Sequence, residues 1–212
     1  MRSLNSFNKV AGVYDALAHV VFGKSLDKAQ RFYLDNIPPH SKVLIIGGGT
    51  GQLLHVLLDL NPSCEVWYVE ASSSMIAQSR RKISDAQGSR VHFIHGTQQN
   101  IPEGLLYDAV ITHFFLDLFT APALDEVIRS IQPHLQHNAV WLACDFVDGG
   151  KWWQRLLLRM MYLFFRITCS LDTRQLPPWQ LKLSLHGLVE VKAASFFGSF
   201  IRSAVLVRRT AQ

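Results

Sequence analysis

The sequence predicts an α/β protein, a doubly wound, mostly parallel seven-stranded sheet with helices on both faces that ends in an antiparallel hairpin. Three observations predict it. Five short apolar runs alternate with stretches of helical spacing, and strands separated by helices pair in parallel with both faces covered. The first run ends in Gly47-Gly48-Gly49-Thr50-Gly51, a turn that hands a strand over to a helix. The C-terminal part instead holds two β-rich runs joined at Gly198-Ser199, a hairpin signal.

Residues 4–34 read as an N-terminal helical region, with Val10, Val13, Tyr14 and Leu17 at helical intervals, and Pro38-Pro39 breaks the chain after it. Residues 42–46 are a short apolar run of the kind a buried parallel strand needs. A helix follows at 53–60 and stops before Asn61-Pro62. The second strand is expected at 66–70 and a serine-capped helix at 73–83. Strands three and four fall at 90–95 and 108–112, a helix at 124–131 before Pro133, and strand five at 139–145. The closing pair is 188–197 and 200–208. The 212 residues show no linker or repeat, so 1–212 reads as one domain. Within it, an N-terminal helical segment at 1–37 and a helical insertion at 150–180 stand outside the alternating core.

Composition narrows the class. With 49% hydrophobic and 17% charged residues, the chain can pack one core and is not a disordered polymer. A net charge of +5 suits an anionic small molecule, an acidic membrane surface or nucleic acid, but no long Lys/Arg run supports nucleic acid as a partner. Cys64, Cys144 and Cys169 form no Cys-x-x-Cys pair and are odd in number, which fits a reducing, cytoplasmic setting. Residues 1–14 lack the pattern of a signal peptide. The apolar stretch 152–171 is interrupted by Arg155, Arg159 and Arg166, whereas a spanning helix needs about 20 nearly charge-free residues. No metal is expected, because His92 and His95, three apart on a strand, point to opposite faces. No Gly-x-Ser-x-Gly elbow supports a hydrolase.

The glycine turn carries the strongest chemical signal. Glycine permits positive φ and lets the backbone come close to a ligand. A dinucleotide fingerprint would place its third glycine at Gln52, whereas here the glycines fall at 47, 49 and 51. That spacing suits a ligand without a pyrophosphate. Glu70 lies at the end of the second strand, where a carboxylate can accept hydrogen bonds from two ribose hydroxyls. Either feature alone has an ordinary explanation, a tight turn or a surface acid. Together, on successive strand ends, they point to one nucleoside site.

Gly47 to Gly51 followed by Glu70-Ala71-Ser72-Ser73-Ser74-Met75 resembles the first two motifs of the class I S-adenosylmethionine-dependent methyltransferases, which have a Rossmann-like fold. The resemblance implies S-adenosylmethionine as cofactor, cradled by Gly47, Gly48, Gly49, Thr50 and Gly51. It implies that Glu70 holds the ribose and that Ala71 and Met75 line the adenine pocket. Where the family often has an acid contacting the adenine amino group, this chain has Thr97 and Gln98, either of which can take that contact. Ile45 replaces an acid that usually serves the amino-acid end of the cofactor. Residues 107–117 resemble the fourth motif and place His113 and Asp117 nearest the chemistry. The His113 imidazole can accept a proton at neutral pH or simply line the cofactor pocket. Asp117 reads first as a helix cap and second as a catalytic group. Phe7 to Asp15 is similar to the N-terminal segment of quinone-biosynthesis and related small-molecule methyltransferases, in which the counterpart of Tyr14 lies over the cofactor. Tyr14 reads equally as a core aromatic.

The function expected is methyl transfer to a small, apolar or aromatic acceptor, by in-line displacement that needs little beyond geometry. The acceptor is expected between the N-terminal segment and residues 152–171, with Trp153 and Phe164 in its wall, since Met- and aromatic-rich surfaces adapt to greasy ligands. A plain cover helix or a dimer face explains that segment equally, and contact with a membrane surface ranks below them. Two other classes compete. Aminopropyltransferases share the fold, but Thr112-His113-Phe114-Phe115 replaces their acidic motif and a basic chain suits a polyamine poorly. A non-catalytic binding or partner protein draws its support from Ile45.

Overall fold

The computed structural model describes residues 21–169 and 175–209. The expected role of Tyr14, and most of the N-terminal segment, lie outside the described residues. The elements run α1 (Ser25–Arg31), β1 (Lys42–Ile46), α2 (Gln52–Leu60), β2 (Glu65–Glu70), α3 (Ser73–Arg81), α4 (Asp85–Gly88), β3 (Val91–His95), β4 (Tyr107–His113), α5 (Ala121–Ile131), β5 (Leu135–Phe146), α6 (Trp152–Cys169), α7 (Trp179–Leu185), β6 (Leu188–Phe196) and β7 (Ile201–Arg208). They build one seven-stranded sheet in the order β3-β2-β1-β4-β5-β7-β6. Strands β1 to β5 are parallel, and β7 runs antiparallel to both β5 and β6. This is the doubly wound sheet with a terminal antiparallel pair that the sequence predicts. The order reverses between β1 and β4, and in such sheets ligands bind beyond the carboxyl ends at that point.

Alternation along β1 sets the two layers. Leu44 and Ile46 face a core shared with Trp67, Val110, Leu124, Ile128 and Trp141, under α5. Val43 and Ile45 face the opposite core with Leu54, Leu57, Val66, Tyr68 and Ile111, under α2. Each such fully buried aliphatic side chain contributes roughly 1.5–3 kcal/mol. A third, aromatic cluster joins Phe22, Phe146, Phe200 and Leu158 at the far end of β5 and β7.

Several boundaries differ from the sequence reading, each for a local reason. Strand β5 starts at Leu135 instead of 139, because a register shift between the Tyr107↔Leu135 and Ala109↔Val140 pairs lets it pair early through exposed His137 and Asn138. The 73–83 helix stops at Arg81, and Ser84 then opens the short α4 with a reciprocal capping box to Gln87. Helix α7 is not apparent from spacing. Buried Trp179 anchors it by donating its Nε1–H to the Phe146 carbonyl at 2.9 Å, and Lys182 and His186 reach Asp125 of α5. Strand β6 ends at Phe196, and Phe197, Gly198 and Ser199 turn the hairpin with φ of 47°, 62° and 68°. A register shift between Glu190 and Lys192 bulges the outermost strand.

Candidate active site

The backbone leaves β1 into a turn with Gly47, Gly49 and Gly51 at φ 67°, 65° and 82°. The glycines serve different ends. A Cβ at Gly48 would stand 2.1 Å from the Tyr68 ring, and one at Gly47 would stand 2.6 Å from Phe115. One at Gly51 would meet the Ser79 backbone at 2.7 Å. At Gly49 nothing among the described residues lies within 4 Å, so its missing side chain faces open space there. Three of the glycines are therefore fixed by protein packing, and Gly49 alone turns a bare backbone outward.

Glu70, at the end of β2, is 7% exposed. Its Oε2 accepts the Gly49 N–H at 2.9 Å and its Oε1 accepts the Ser72 N–H at 2.8 Å. Burial pushes its pKa up, and those backbone donors oppose the rise. Tyr68 donates its hydroxyl to the Gly49 carbonyl at 2.9 Å, and Ser79 of α3 reaches the same carbonyl at 3.0 Å. The turn is thus pinned on both sides of Gly49 before any ligand arrives. Ser72 caps α3 through the Met75 N–H, which sets partly exposed Ala71 and Met75 beside Glu70. Thr50 accepts from Lys82 Nζ at 3.3 Å. Thr97 and Gln98 stand at the end of the next strand. There the Thr97 hydroxyl is engaged by the Gln99 N–H, and both residues keep partial exposure. His92 and His95 bond to Glu65 and the Ala71 carbonyl.

The end of β4 is built differently. Phe114 adopts φ 50°, a left-handed conformation rare for a bulky residue, and this turns the chain sharply after His113. His113 is 7% exposed, and its Nδ1 has no hydrogen-bond partner among the described residues. Burial lowers its pKa to about 3, so the ring is neutral at physiological pH. It lines a cavity of about 30 Å³ with Gln30, Ile45, Ile46, Gly47, Gly48, Leu53 and Ile111.

Asp117 does not cap a helix. It sits within a single 3₁₀ turn, Leu116–Leu118, and the cap of α5 is Thr120, which accepts the Ala123 N–H. Its own carboxyl is buried beside Asp145, with Oδ1 unpartnered. Asp145 Oδ2 accepts the Leu116 and Asp117 N–H groups at 2.9 and 3.2 Å, and its Oδ1 accepts the Phe146 N–H at 2.9 Å. Two buried carboxyls side by side cannot both ionise cheaply. Burial raises both, so the pair shares one proton; three backbone donors oppose the rise of Asp145, and Asp117 is pushed up to about 7. A pKa raised on folding gives stability that is complete below the ordinary 3.8 and is lost as pH rises through about 7. Wild-type unfolding free energy should therefore fall as pH rises across that window. Asp117→Asn should flatten the fall in chemical denaturation at a series of pH values, and an unaltered slope would reject the shared proton.

Gly47, Gly48 and His113 thus share one cavity, while Glu70, Gly49, Ala71 and Met75 form the adjoining strand end. Trp153 is elsewhere. Its ring packs edge-on to Phe197 and Phe200 with centroids 5.8 Å apart, inside the aromatic cluster under the hairpin. Phe164 is half-buried farther along α6. Sequence reasoning missed Gln30, whose place depends on how α1 crosses the sheet, and the bracing pair Tyr68 and Ser79. Asp145 carried a legible signal, a lone acid inside a buried strand.

A methyltransferase-domain family model matches residues 44–141. The ribosomal RNA large subunit methyltransferase G of Aeromonas salmonicida is 30% identical over 147 residues, 64% of this chain and 35% of that protein. The malonyl-[acyl-carrier protein] O-methyltransferase of Priestia megaterium is 26% identical over 68% of this chain and 50% of its own. The chain thus spans a third to a half of the length of these two relatives. Among solved structures, an O-methyltransferase family protein from Burkholderia thailandensis superposes with TM-score 0.72 at 18% identity, over 100% of this chain and 61% of that one. The DhpI complex with S-adenosylhomocysteine (SAH) gives 0.71 at 17%, over 99% and 96%. An O-methyltransferase of neocarzinostatin biosynthesis, solved with S-adenosylmethionine and a naphthoic acid, gives 0.68 at 15%, over 97% and 59%. The matched segment runs from β1 into β5 and so contains both the glycine turn and the acidic strand end, and residues 44–141 are similar to a methyltransferase domain.

Proposed function

We propose that the protein binds S-adenosylmethionine across the carboxyl ends of β1, β2 and β4 and methylates a small, apolar or aromatic acceptor. One observation carries the reading: the Glu70 carboxylate is bonded to the N–H of Gly49, the one glycine of the turn that faces open space. The residues fit such a ligand. Each Glu70 oxygen holds one backbone donor and keeps a lone pair for a ribose hydroxyl. Gln30 lines the cavity together with Ile45, so its amide would be the polar group offered to the amino-acid end in place of an acid at Ile45. Ala71 and Met75 offer apolar surface to the base, with Thr97 or Gln98 at its rim.

The bound cofactor supplies an electrophilic methyl carbon. The chain's own part is to hold the acceptor in line, exclude water and take a proton where the acceptor is a hydroxyl. His113, which lines the cavity, is the residue we assign that role, and the burial that lowers its pKa to about 3 works against its protonation. The acceptor class draws support from one solved likeness, an O-methyltransferase in complex with S-adenosylmethionine and a naphthoic acid.

Calorimetric titration with SAH tests the site. Gly49→Val should abolish measurable binding, at least a hundredfold loss. It puts a β-branched side chain at φ 65°, which strains the turn, and fills a space that no described residue occupies. Binding within threefold of wild type would refute the assignment.

A further inference from the structure

Helix α6 has two apolar sides. Its inner side packs Trp153, Leu157, Leu158, Met161 and Tyr162 into the aromatic cluster. Its outer side leaves Trp152, Leu156, Met160 and Leu163 exposed by 77%, 51%, 61% and 51%. At 100° per residue these four fall within about 80° of arc, and Arg159, Arg166 and Arg155 fill the next 40° or so. All three arginines are exposed, and the helix contains no Asp or Glu. Arg155 has one partner, Asp148, at 3.4 Å in a solvent-facing pair. A cover helix needs only its inner side. The outer one combines an apolar row and a basic row over 18 residues, about 27 Å of helix.

We propose that this outer face is a docking surface for an anionic lipid bilayer, with α6 lying flat in the interface. Charge decides the occupant. In a two-fold dimer through this face, the arginine rows would meet without an acid on the helix to answer them. Residues 1–20 hold Arg2 and Lys9 against Asp15, so they bring no negative row either. A bilayer of acidic lipids answers both rows at once, headgroups for the arginines and acyl chains for the apolar side. No described helix is long and apolar enough to cross a membrane, which agrees with a helix that rests on the surface. The chain's net charge of +5 works in the same direction. On the functional reading above, the helix would join the bilayer to the site, since Tyr162 on its inner side reaches the Asp117 carbonyl at 3.5 Å.

Co-sedimentation of the full chain with extruded vesicles tests the proposal without any methylation assay. Binding to vesicles of equal phosphatidylcholine and phosphatidylglycerol should exceed binding to phosphatidylcholine alone at least tenfold. Arg155→Glu/Arg159→Glu/Arg166→Glu should bring it down to the neutral-vesicle level. Leu156→Glu/Met160→Glu should lower it tenfold with an unchanged thermal midpoint, because both side chains already face water. Equal pelleting on the two vesicle types, or none, overturns the proposal. So does a dimer in sedimentation velocity that Leu156→Glu/Met160→Glu dissolves. A fall of several degrees in that variant's midpoint also overturns it, since the row would then be covered by the chain itself.

Discussion

Glu70→Ala is expected to weaken SAH binding roughly ten- to a hundredfold while the chain stays folded. The carboxylate has two duties that fail together. Its spare lone pairs are the proposed ribose acceptors, and its engaged ones hold the Gly49 and Ser72 N–H groups. A hydrogen bond to a charged group is worth about 1.5–3 kcal/mol, and each 1.4 kcal/mol is a factor of ten in affinity. Tyr68 and Ser79 still fix the Gly49 carbonyl, so the turn should survive the substitution. Glu70→Gln should fall between, keeping one acceptor oxygen and losing the charge. Calorimetry beside a thermal melt reads both quantities, and an unchanged dissociation constant in folded Glu70→Ala would remove Glu70 from the site.

Asp145→Ala should be the most destabilising single change among the polar residues described. The side chain is fully buried and accepts three backbone N–H groups, from Leu116, Asp117 and Phe146. Each orphaned donor costs about 1–3 kcal/mol, so a loss of roughly 3 kcal/mol or more in urea unfolding is expected. The damage should also reach the site, because those donors fix the segment that follows His113. Asp145→Asn retains an acceptor and should lose less. A loss below about 1 kcal/mol for the alanine variant would mean that the loop finds other partners at little cost.

Much of the fold was legible because it rests on patterns that repeat. Short apolar runs and the glycine turn announced β1 to β4, and the two β-rich tail runs announced the hairpin. Helix α7 was hidden because its order comes from distant partners, the Phe146 carbonyl and Asp125, and not from its own spacing. The start of β5 was masked by polar residues that lie within a register shift between the Leu135 and Val140 pairs. At the site, Glu70 and the glycines were readable as types at a spacing. Asp117 was misread as a cap, because a carboxylate shortly before a helix looks the same in sequence whether it faces the helix end or a second buried acid. Trp153 was assigned to the acceptor wall on its aromaticity, and its partly buried ring packs edge-on to Phe197 and Phe200.

The strand order leaves β3 and β6 as the two borders of the sheet, and each is a row of backbone groups that another chain could copy. Neither border invites it. Strand β3 is only five residues long and directs His92 and His95 outward. Strand β6 carries Glu190 and Lys192 on its exposed positions, and its bulge breaks the regular ladder between them. Charge and bulging are the devices by which natural sheets resist edge-to-edge zippering. The register shift in β6 therefore acts as a gatekeeper against fibril growth, and it keeps a chain rich in exposed apolar side chains from templating its own aggregation.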